Sequence, residues 1–160
     1  MQKVALLLGT NLGEREINLK KASELIEEKV GNILEQSKIY ATAPWGNTEQ
    51  PGFLNQALLV WTILEPEQVM QTLLDIEQQM GRVRDEKWGS RLIDIDILLI
   101  EDTVVDSETL KVPHPHLHER NFTLYPLNEI VAEWEHPILK KTVNQLLIES
   151  TDKSEVTIHI

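Results

Sequence analysis

The chain has 160 residues, a formal net charge of −11 and no cysteine. That length suits one domain with a sizeable core. The acidity opposes non-specific binding to nucleic acid or to an anionic membrane surface. The absence of cysteine excludes disulfides and thiolate zinc sites and fits a reducing cytoplasm. The apolar run behind Met1 is too short for a signal-peptide core, and no stretch approaches the length of a membrane span.

Residues 3–8 form an apolar run ending at Gly9, which predicts a buried first strand. "GTNLGER" follows as a turn, with Thr10 or Asn11 as candidate caps for a helix over 14–30. There Ile17, Leu19, Ala22, Leu25, Ile26 and Val30 keep helical spacing, and Gly31 is a fitting stop. A second strand is expected over 32–43. The loop "APWGNTEQPG" comes next, then a third strand over 53–64 with an apolar centre. Pro66 suits the first turn of a second helix, in which Val69, Met70, Leu73, Leu74, Ile76, Glu77 and Met80 mark the turns up to Gly81.

The segment "GRVRDEKWGSR" concentrates Arg82, Arg84, Lys87 and Arg91 around Trp88, between Gly81 and Gly89. Guanidinium forks grip phosphate at two points, a glycine-bounded loop is free to move, and an indole covers a flat ligand. The fourth strand, "RLIDIDILLI", follows directly. Alternation places Leu92, Asp94, Asp96 and Leu98 on one face and Ile93, Ile95, Ile97 and Leu99 on the other. Carboxylates at i and i+2 on a strand stand roughly 7 Å apart. Hard oxygen donors so fixed suit Mg²⁺, whose shell substrate phosphates complete. An isolated Asp-x-Asp is most simply a hydrated strand face, and nearby arginines are most simply its counter-ions. The basic loop and the paired carboxylates together are what a magnesium–nucleotide enzyme needs.

The order strand, helix, strand, strand, helix, strand predicts an α+β fold. The specific expectation is a ferredoxin-like βαββαβ antiparallel sheet with both helices on one face and the other face free for loops and ligand. Short helices are expected over 121–134 and 142–149, packed over a sheet edge. The whole of 1–160 reads as a single domain. Its tail, 151–160, alternates Val156, Ile158 and Ile160, as a short extra strand would.

Six stretches, in order, resemble one family: "GTNLG" (9–13), "YATAPWG" (40–46), "QPGFLNQAL" (50–58), "IEQQMGRVR" (76–84), "WGSRLIDIDILL" (88–99) and "VPHPHLHERNF" (112–122). The family is hydroxymethyldihydropterin pyrophosphokinase, a folate-pathway enzyme. The resemblance implies transfer of the terminal pyrophosphate of ATP to the hydroxymethyl group of 6-hydroxymethyl-7,8-dihydropterin, with release of AMP. It implies that Asp94 and Asp96 hold two Mg²⁺ ions on ATP and that Arg82 and Arg84 reach the phosphates, the four together forming the catalytic set. Glu77, Trp88, Arg91, His114 and Arg120 match nucleotide-site positions. Thr42, Pro44, Trp45, Phe53, Asn55, Trp88 and Phe122 match the pterin site, where Phe53 and Phe122 are placed to stack on the ring and Asn55 to hydrogen-bond its edge. Either a metal-bound alcohol or Asp96 as base would lose the proton. The expected partners are ATP and the pterin alone, acting on a monomeric cytoplasmic enzyme.

Two other classes compete. RNA-recognition domains share the strand order, but they stack bases on strand aromatics and carry basic sheets, whereas the first strand here has no aromatic. A metal-binding protein built on His114, His116 and His118 would use their alternation along a proline-broken segment. Of these three, only His114 matches the family, so His116 and His118 read as exposed or packing residues. Trp61, Trp134, Met70 and Leu74 read as packing residues.

Overall fold

The computed structural model describes residues 1–42, 52–81 and 92–159. In chain order the elements are β1 (Gln2–Thr10), α1 (Arg15–Lys29), β2 (Asn32–Gln36), β3 (Tyr40–Thr42), β4 (Phe53–Thr62), α2 (Pro66–Gln79), β5 (Asp94–Ile100), β6 (Val105–Asp106) and β7 (Lys111–Val112). A 3-10 turn (Leu117–Glu119) leads into α3 (Asn121–Val131), β8 (Glu135–His136), β9 (Lys141–Thr142), α4 (Val143–Glu149) and β10 (Val156–Ile158). Among the described residues, the main sheet runs β10-β3-β4-β1-β5, with β2 also paired to β4. Every pairing in it is antiparallel. This is the expected α+β arrangement, extended by the tail strand.

β1 is the middle of the sheet, buried from Val4 onward. It pairs with β4 along its whole length, from Gln2 opposite Thr62 to Thr10 opposite Leu54. On one face, Val4, Leu6 and Leu8 meet Leu54, Leu58, Val60, Ile93, Ile95 and Ile97, and α1 and α2 close over them with Leu19, Ala22, Ile26, Val69, Leu73 and Ile76. Each such fully buried aliphatic side chain contributes about 1.5–3 kcal/mol relative to exposure. α2 starts on a reciprocal cap, Glu65 with Gln68, and Pro66 stands at its first turn as expected. Leu74 is an exception, 39% exposed on the outer side of α2.

The other face departs from expectation. It is not left to loops: α3 and α4 lie across it, burying Leu124, Leu127, Val131, Val143 and Leu146 against Ala5, Leu7, Leu59, Leu98 and Leu99. These helices cover a face and not an edge because β1 is apolar on both sides, and a strand with no polar face needs two covers. α3 ends at Val131, short of Trp134. α4 begins after Thr142, whose side chain and that of Gln145 cap each other's backbone.

Three irregularities shape the sheet. The expected strand over 32–43 is two strands, because pairing with β4 slips by a residue between Ile33 and Glu35 and again between Gln36 opposite Leu58 and Tyr40 opposite Asn55. The second slip is held by Ser37, whose hydroxyl accepts a hydrogen bond from Ala57 N at 2.9 Å and whose carbonyl accepts from Gln56 Nε2 at 2.8 Å. The third is a bulge in β5, where Leu6 faces Ile97 and Ala5 faces Leu99, leaving Leu98 as the extra residue. Leu98 and Leu99 therefore both join the second face, and Ile100 returns to the first. An extra residue in one strand reverses the alternation beyond it, which is why Leu99 is not with the isoleucines. The tail forms β10, with Val156 opposite Thr42 and Ile158 opposite Tyr40. Among the described residues no helix is long and apolar enough to cross a membrane.

Candidate active site

Residues directly opposite one another in antiparallel strands project from the same face. The register places Tyr40 opposite Asn55, Asn55 opposite Gly9, and Gly9 opposite Asp94. One row across four strands of the second face thus carries a phenol, an amide, a bare backbone and a carboxylate. The next row towards α3 and α4 holds Ala57, Leu7 and Asp96, and the row outward holds Thr42 and Phe53. At about 4.8 Å per strand spacing, Asn55 and Asp94 stand about 10 Å apart across Gly9. Polar side chains occupy this end of the face, and the helices cover the other.

Asn55 is 3% exposed. Its Nδ2 is buried with no hydrogen-bond partner. A buried amide left unpaired costs about 1–3 kcal/mol. Gly9 makes room for it: a Cβ there would lie 2.9 Å from Asn55 Oδ1. A glycine inside an apolar strand marks a close approach of this kind, and it is a site residue that sequence reasoning left without a role. Tyr40 is a second. Its hydroxyl donates to Glu129 Oε1 at 2.7 Å, tying β3 to α3. Burial, then the bond to Glu129, pushes the phenol up to about 12, so it stays protonated.

Behind the carboxylate strand, Glu77 of α2 is 6% exposed. Its Oε2 accepts a hydrogen bond from Ile95 N at 2.8 Å. Ile95 lies between the two aspartates, so this bond fixes the backbone that carries both. The entry to β5 is tied to the first glycine turn. Thr10 Oγ1 donates to Leu92 O at 2.6 Å, so neither Thr10 nor Asn11 serves as the cap of α1, which has no side-chain cap bond. Instead Asn18 in that helix reaches back to Leu12 O at 2.9 Å. Gly81 ends α2 with φ of 103°, a left-handed backbone open to glycine.

The bulge at Leu98 has a consequence for the site. Its carbonyl accepts His114 N at 2.9 Å, which seats the 113–116 segment beside β5. His114 there feels Asp96, Arg120 and His116. Burial is the largest influence and lowers its pKa, Asp96 opposes it, and Arg120 and His116 add to it. Nδ1 of His114 accepts from His116 N at 3.1 Å, so the neutral ring carries its proton on Nε2. Arg120 places its guanidinium 5.7 Å from the Phe122 ring centroid, and Phe122 packs against the helix-covered part of the face. His116 bonds Glu119 at 3.2 Å and His118 meets His136 edge-on, with centroids 6.3 Å apart. Among the described residues no three His, Cys, Asp or Glu side chains are grouped to hold a metal, so the histidines form no separate metal centre there.

Of the sequence-predicted residues, Thr42, Phe53, Asn55, Asp94 and Asp96 share one end of one face. His114, Arg120 and Phe122 border it, and Glu77 lies behind it. Pro44, Trp45, Arg82, Arg84, Trp88 and Arg91 lie outside the described residues.

A family model described as 7,8-dihydro-6-hydroxymethylpterin-pyrophosphokinase (HPPK) matches residues 5–132. The chain is 41% identical over 153 residues to a 2-amino-4-hydroxy-6-hydroxymethyldihydropteridine pyrophosphokinase of Aquifex aeolicus, covering 96% of this chain and 95% of that one. It is 40% identical over 129 residues to the Bacillus subtilis protein of the same name, covering 80% of this chain and 77% of that one. Among solved structures, a crystal structure of a Plasmodium falciparum HPPK-DHPS triple mutant superposes with a TM-score of 0.77 at 18% identity, covering 92% of this chain and 43% of that chain. That likeness establishes the fold, and this chain spans less than half of the larger protein. The family match spans the strands that build the polar end of the sheet, and with relatives at 40–41% identity over most of its length the chain belongs to the 7,8-dihydro-6-hydroxymethylpterin-pyrophosphokinase family.

Proposed function

We propose that the polar end of the second sheet face is where this chain performs its family's reaction, with the pterin over Asn55 and the ATP phosphates over Asp94 and Asp96. Membership of the family carries the reaction itself: ATP-dependent transfer of a pyrophosphoryl group to 6-hydroxymethyl-7,8-dihydropterin, in folate biosynthesis. One observation supports the placement above the rest. Asn55 is buried with an unpaired Nδ2 donor, in the same cross-strand row as Asp94. A donor buried without a partner is accounted for if a ligand supplies the acceptor, and the amide-and-amine edge of a pterin does. Phe53 and Phe122 supply apolar surface for the flat ring, and Thr42 borders it. Gly9 keeps the floor between ring and phosphates level.

The donor set fits Mg²⁺. Asp94 and Asp96 give hard carboxylate oxygens on one face, and Asp96 is exposed on an edge strand. A pair with no third protein ligand among the described residues suits an ion that takes its remaining ligands from phosphate and water. When bound there with ATP, magnesium supplies neutralisation of the phosphate oxygens and of the charge on leaving AMP. Two ions are expected from the family resemblance.

The chain's own groups divide the remaining work. His114, kept neutral by burial, offers an Nε2–H donor near Asp96, and Arg120 adds a fixed cation beside it. The arginines of 82–91 complete the phosphate grip on sequence grounds, from outside the described residues. Glu77 enters as the group that holds Ile95 between the two aspartates, and so acts through the strand. The nucleophile is a primary alcohol, weak at neutral pH, so orientation and charge stabilisation provide most of the acceleration.

The test is a coupled assay of the purified chain with ATP, Mg²⁺ and the pterin alcohol. One AMP should form for each pterin pyrophosphate. ADP as the product would overturn the reaction. Asn55→Ala should raise the KM for the pterin by roughly tenfold with little change in the KM for ATP, as loss of a single hydrogen bond to a bound edge does. Equal KM values for both substrates before and after the change would remove Asn55 from the pterin site.

A further inference from the structure

The family match ends at residue 132, yet the segment 150–159 ties together the two walls of the proposed pterin pocket. Arg120, the residue before α3, makes no side-chain cap bond to that helix. The first amide of α3 is satisfied from far along the chain instead. Asn121 N donates to Asp152 Oδ2 at 2.8 Å, and Asn121 Nδ2 donates to Asp152 O at 2.9 Å. Ser150 Oγ donates to Asn121 Oδ1 at 2.7 Å, so the buried Asn121 side chain is bonded at both ends. Asp152 is itself fixed, because its Oδ1 accepts Ser154 N at 2.9 Å. The bond from the Asn121 amide is the main cause holding its carboxyl below the usual range. A carboxylate at a helix N-terminus also meets the positive end of the helix dipole. Past Ser154 the chain becomes β10 and completes the ladder of β3, with Val156 opposite Thr42. His159 N then donates to Ile39 O at 2.8 Å.

One end of this strap therefore holds Asn121, the neighbour of Phe122. The other end holds the strand that carries Thr42, itself opposite Phe53. We propose that the 150–159 strap is a positioning device for the pterin substrate, in which Asp152 sets the helix α3 wall of the pocket against the β3 wall. Asp152 does not touch the substrate; it acts through Phe122 and Thr42. The Asp94 and Asp96 carboxylates belong to β5 and are held by Glu77, so the strap reaches the phosphate side only through Arg120, the neighbour of Asn121. Strap variants should accordingly separate the two substrates. The inference rests on the pterin reading of Asn55, Phe53 and Phe122.

The experiment measures KM for the pterin alcohol, KM for ATP and kcat on the full chain, with a thermal melt of each variant. Asp152→Ala should raise the pterin KM by roughly tenfold, leave the ATP KM within about twofold, and keep kcat at saturating substrate close to that of the parent. Asp152→Asn retains an acceptor for Asn121 N and should recover most of the pterin KM. If Asp152→Ala is unfolded at the assay temperature, Ser150→Ala, which removes the bond to Asn121 Oδ1 and the one that Ser150 Oγ accepts from Asp152 N, carries the test, with a rise of about threefold in pterin KM alone. Equal rises in both KM values, a fall in kcat alone, or no change in any of them would overturn the strap's role. Asn55→Ala is run beside them. If it leaves the pterin KM unmoved, the pocket reading fails. If it raises the pterin KM while the strap variants do not, the pocket stands and the strap proposal alone fails.

Discussion

The two faces of one sheet do opposite things with the same strands. Under α1 and α2, β1 offers Val4, Leu6 and Leu8, β4 offers Leu54, Leu58 and Val60, and β5 offers Ile95 and Ile97 with Ile93 just before it, all buried. On the opposite face the same strands offer Ala5 and Leu7, then Gly9; Leu59 and Ala57, then Asn55; Leu98 and Leu99, then Asp96 and Asp94. Apolar side chains give way part-way along that face on all three strands, to an amide on β4, to bare backbone on β1 and, one row earlier, to carboxylates on β5. One face is built only to be buried, at about 25 cal/mol per Å² of apolar surface. The other is divided between a core that positions and an end that binds, and its buried unpaired amide is a stability cost avoided on the first face, where the buried Thr10, Gln56 and Thr62 side chains are all bonded.

The comparison is sharpest where a substitution changes activity without stability. Asp96→Ala should lower turnover by roughly a thousandfold, the scale of losing a main charge-stabilising group. It should leave the thermal midpoint unchanged or slightly higher, because Asp96 is exposed and shares its face with Asp94. Near-parental turnover at saturating Mg²⁺ would remove Asp96 from the metal site. On the opposite face the reverse is expected. Leu58→Ala deletes a fully buried side chain and should cost about 2–5 kcal/mol in urea unfolding, with KM for both substrates unchanged in the folded protein. A selective loss of substrate binding there would show that the faces are not separable.

Gly9→Ala probes the boundary between the two regions. The new Cβ meets Asn55 Oδ1 at 2.9 Å. The contact is with the end of a side chain, so the amide turns away and the strand holds. We expect a rise of about tenfold in pterin KM, with a stability change under about 1 kcal/mol. A loss of several kcal/mol would mean that the backbone of β1 had moved instead.

The smallest effect is a pH dependence carried by histidines that burial shifts. His136 is buried, and its Nδ1 accepts from Ile138 N at 3.2 Å and Leu139 N at 3.1 Å. Burial, and then the nearby His118, lower its pKa from the ordinary 6.5. The unfolded chain therefore takes up the proton first as pH falls. The stability that neutral His136 confers is complete above the ordinary value and declines below it, until the folded-state value is passed. His114, shifted the same way, adds to the decline. Urea midpoints measured from about pH 7.5 to about pH 5 should fall with pH, and His136→Asn, which keeps an acceptor but does not titrate, should flatten part of that slope. A slope unchanged by the substitution would remove His136 as its source.

The order of elements was legible in the chain because each is a local pattern. Helical spacing marked α1 and α2, an apolar run ending at Gly9 marked β1, and Pro66 marked a helix start. The carboxylate pair and its strand were legible for the same reason: two aspartates interrupting an isoleucine run stand out at period two. One local signal went unused. The unbroken run from Val4 to Leu8 is apolar at both parities, which already requires a cover on each face. What the sequence could not reveal depends on register, which is a relation between distant segments. The Leu98 bulge turns Leu99 to the second face and anchors His114. The row through Tyr40, Asn55, Gly9 and Asp94 exists only once three pairings are aligned. Asp152 meets Asn121 across 31 positions of sequence, and no periodicity or motif announces such a bond. Local patterns determined which segments form strands and helices, because backbone geometry acts over a few residues. Only the tertiary structure decided which side chains share a row, because that depends on how non-local pairing and burial align the strands.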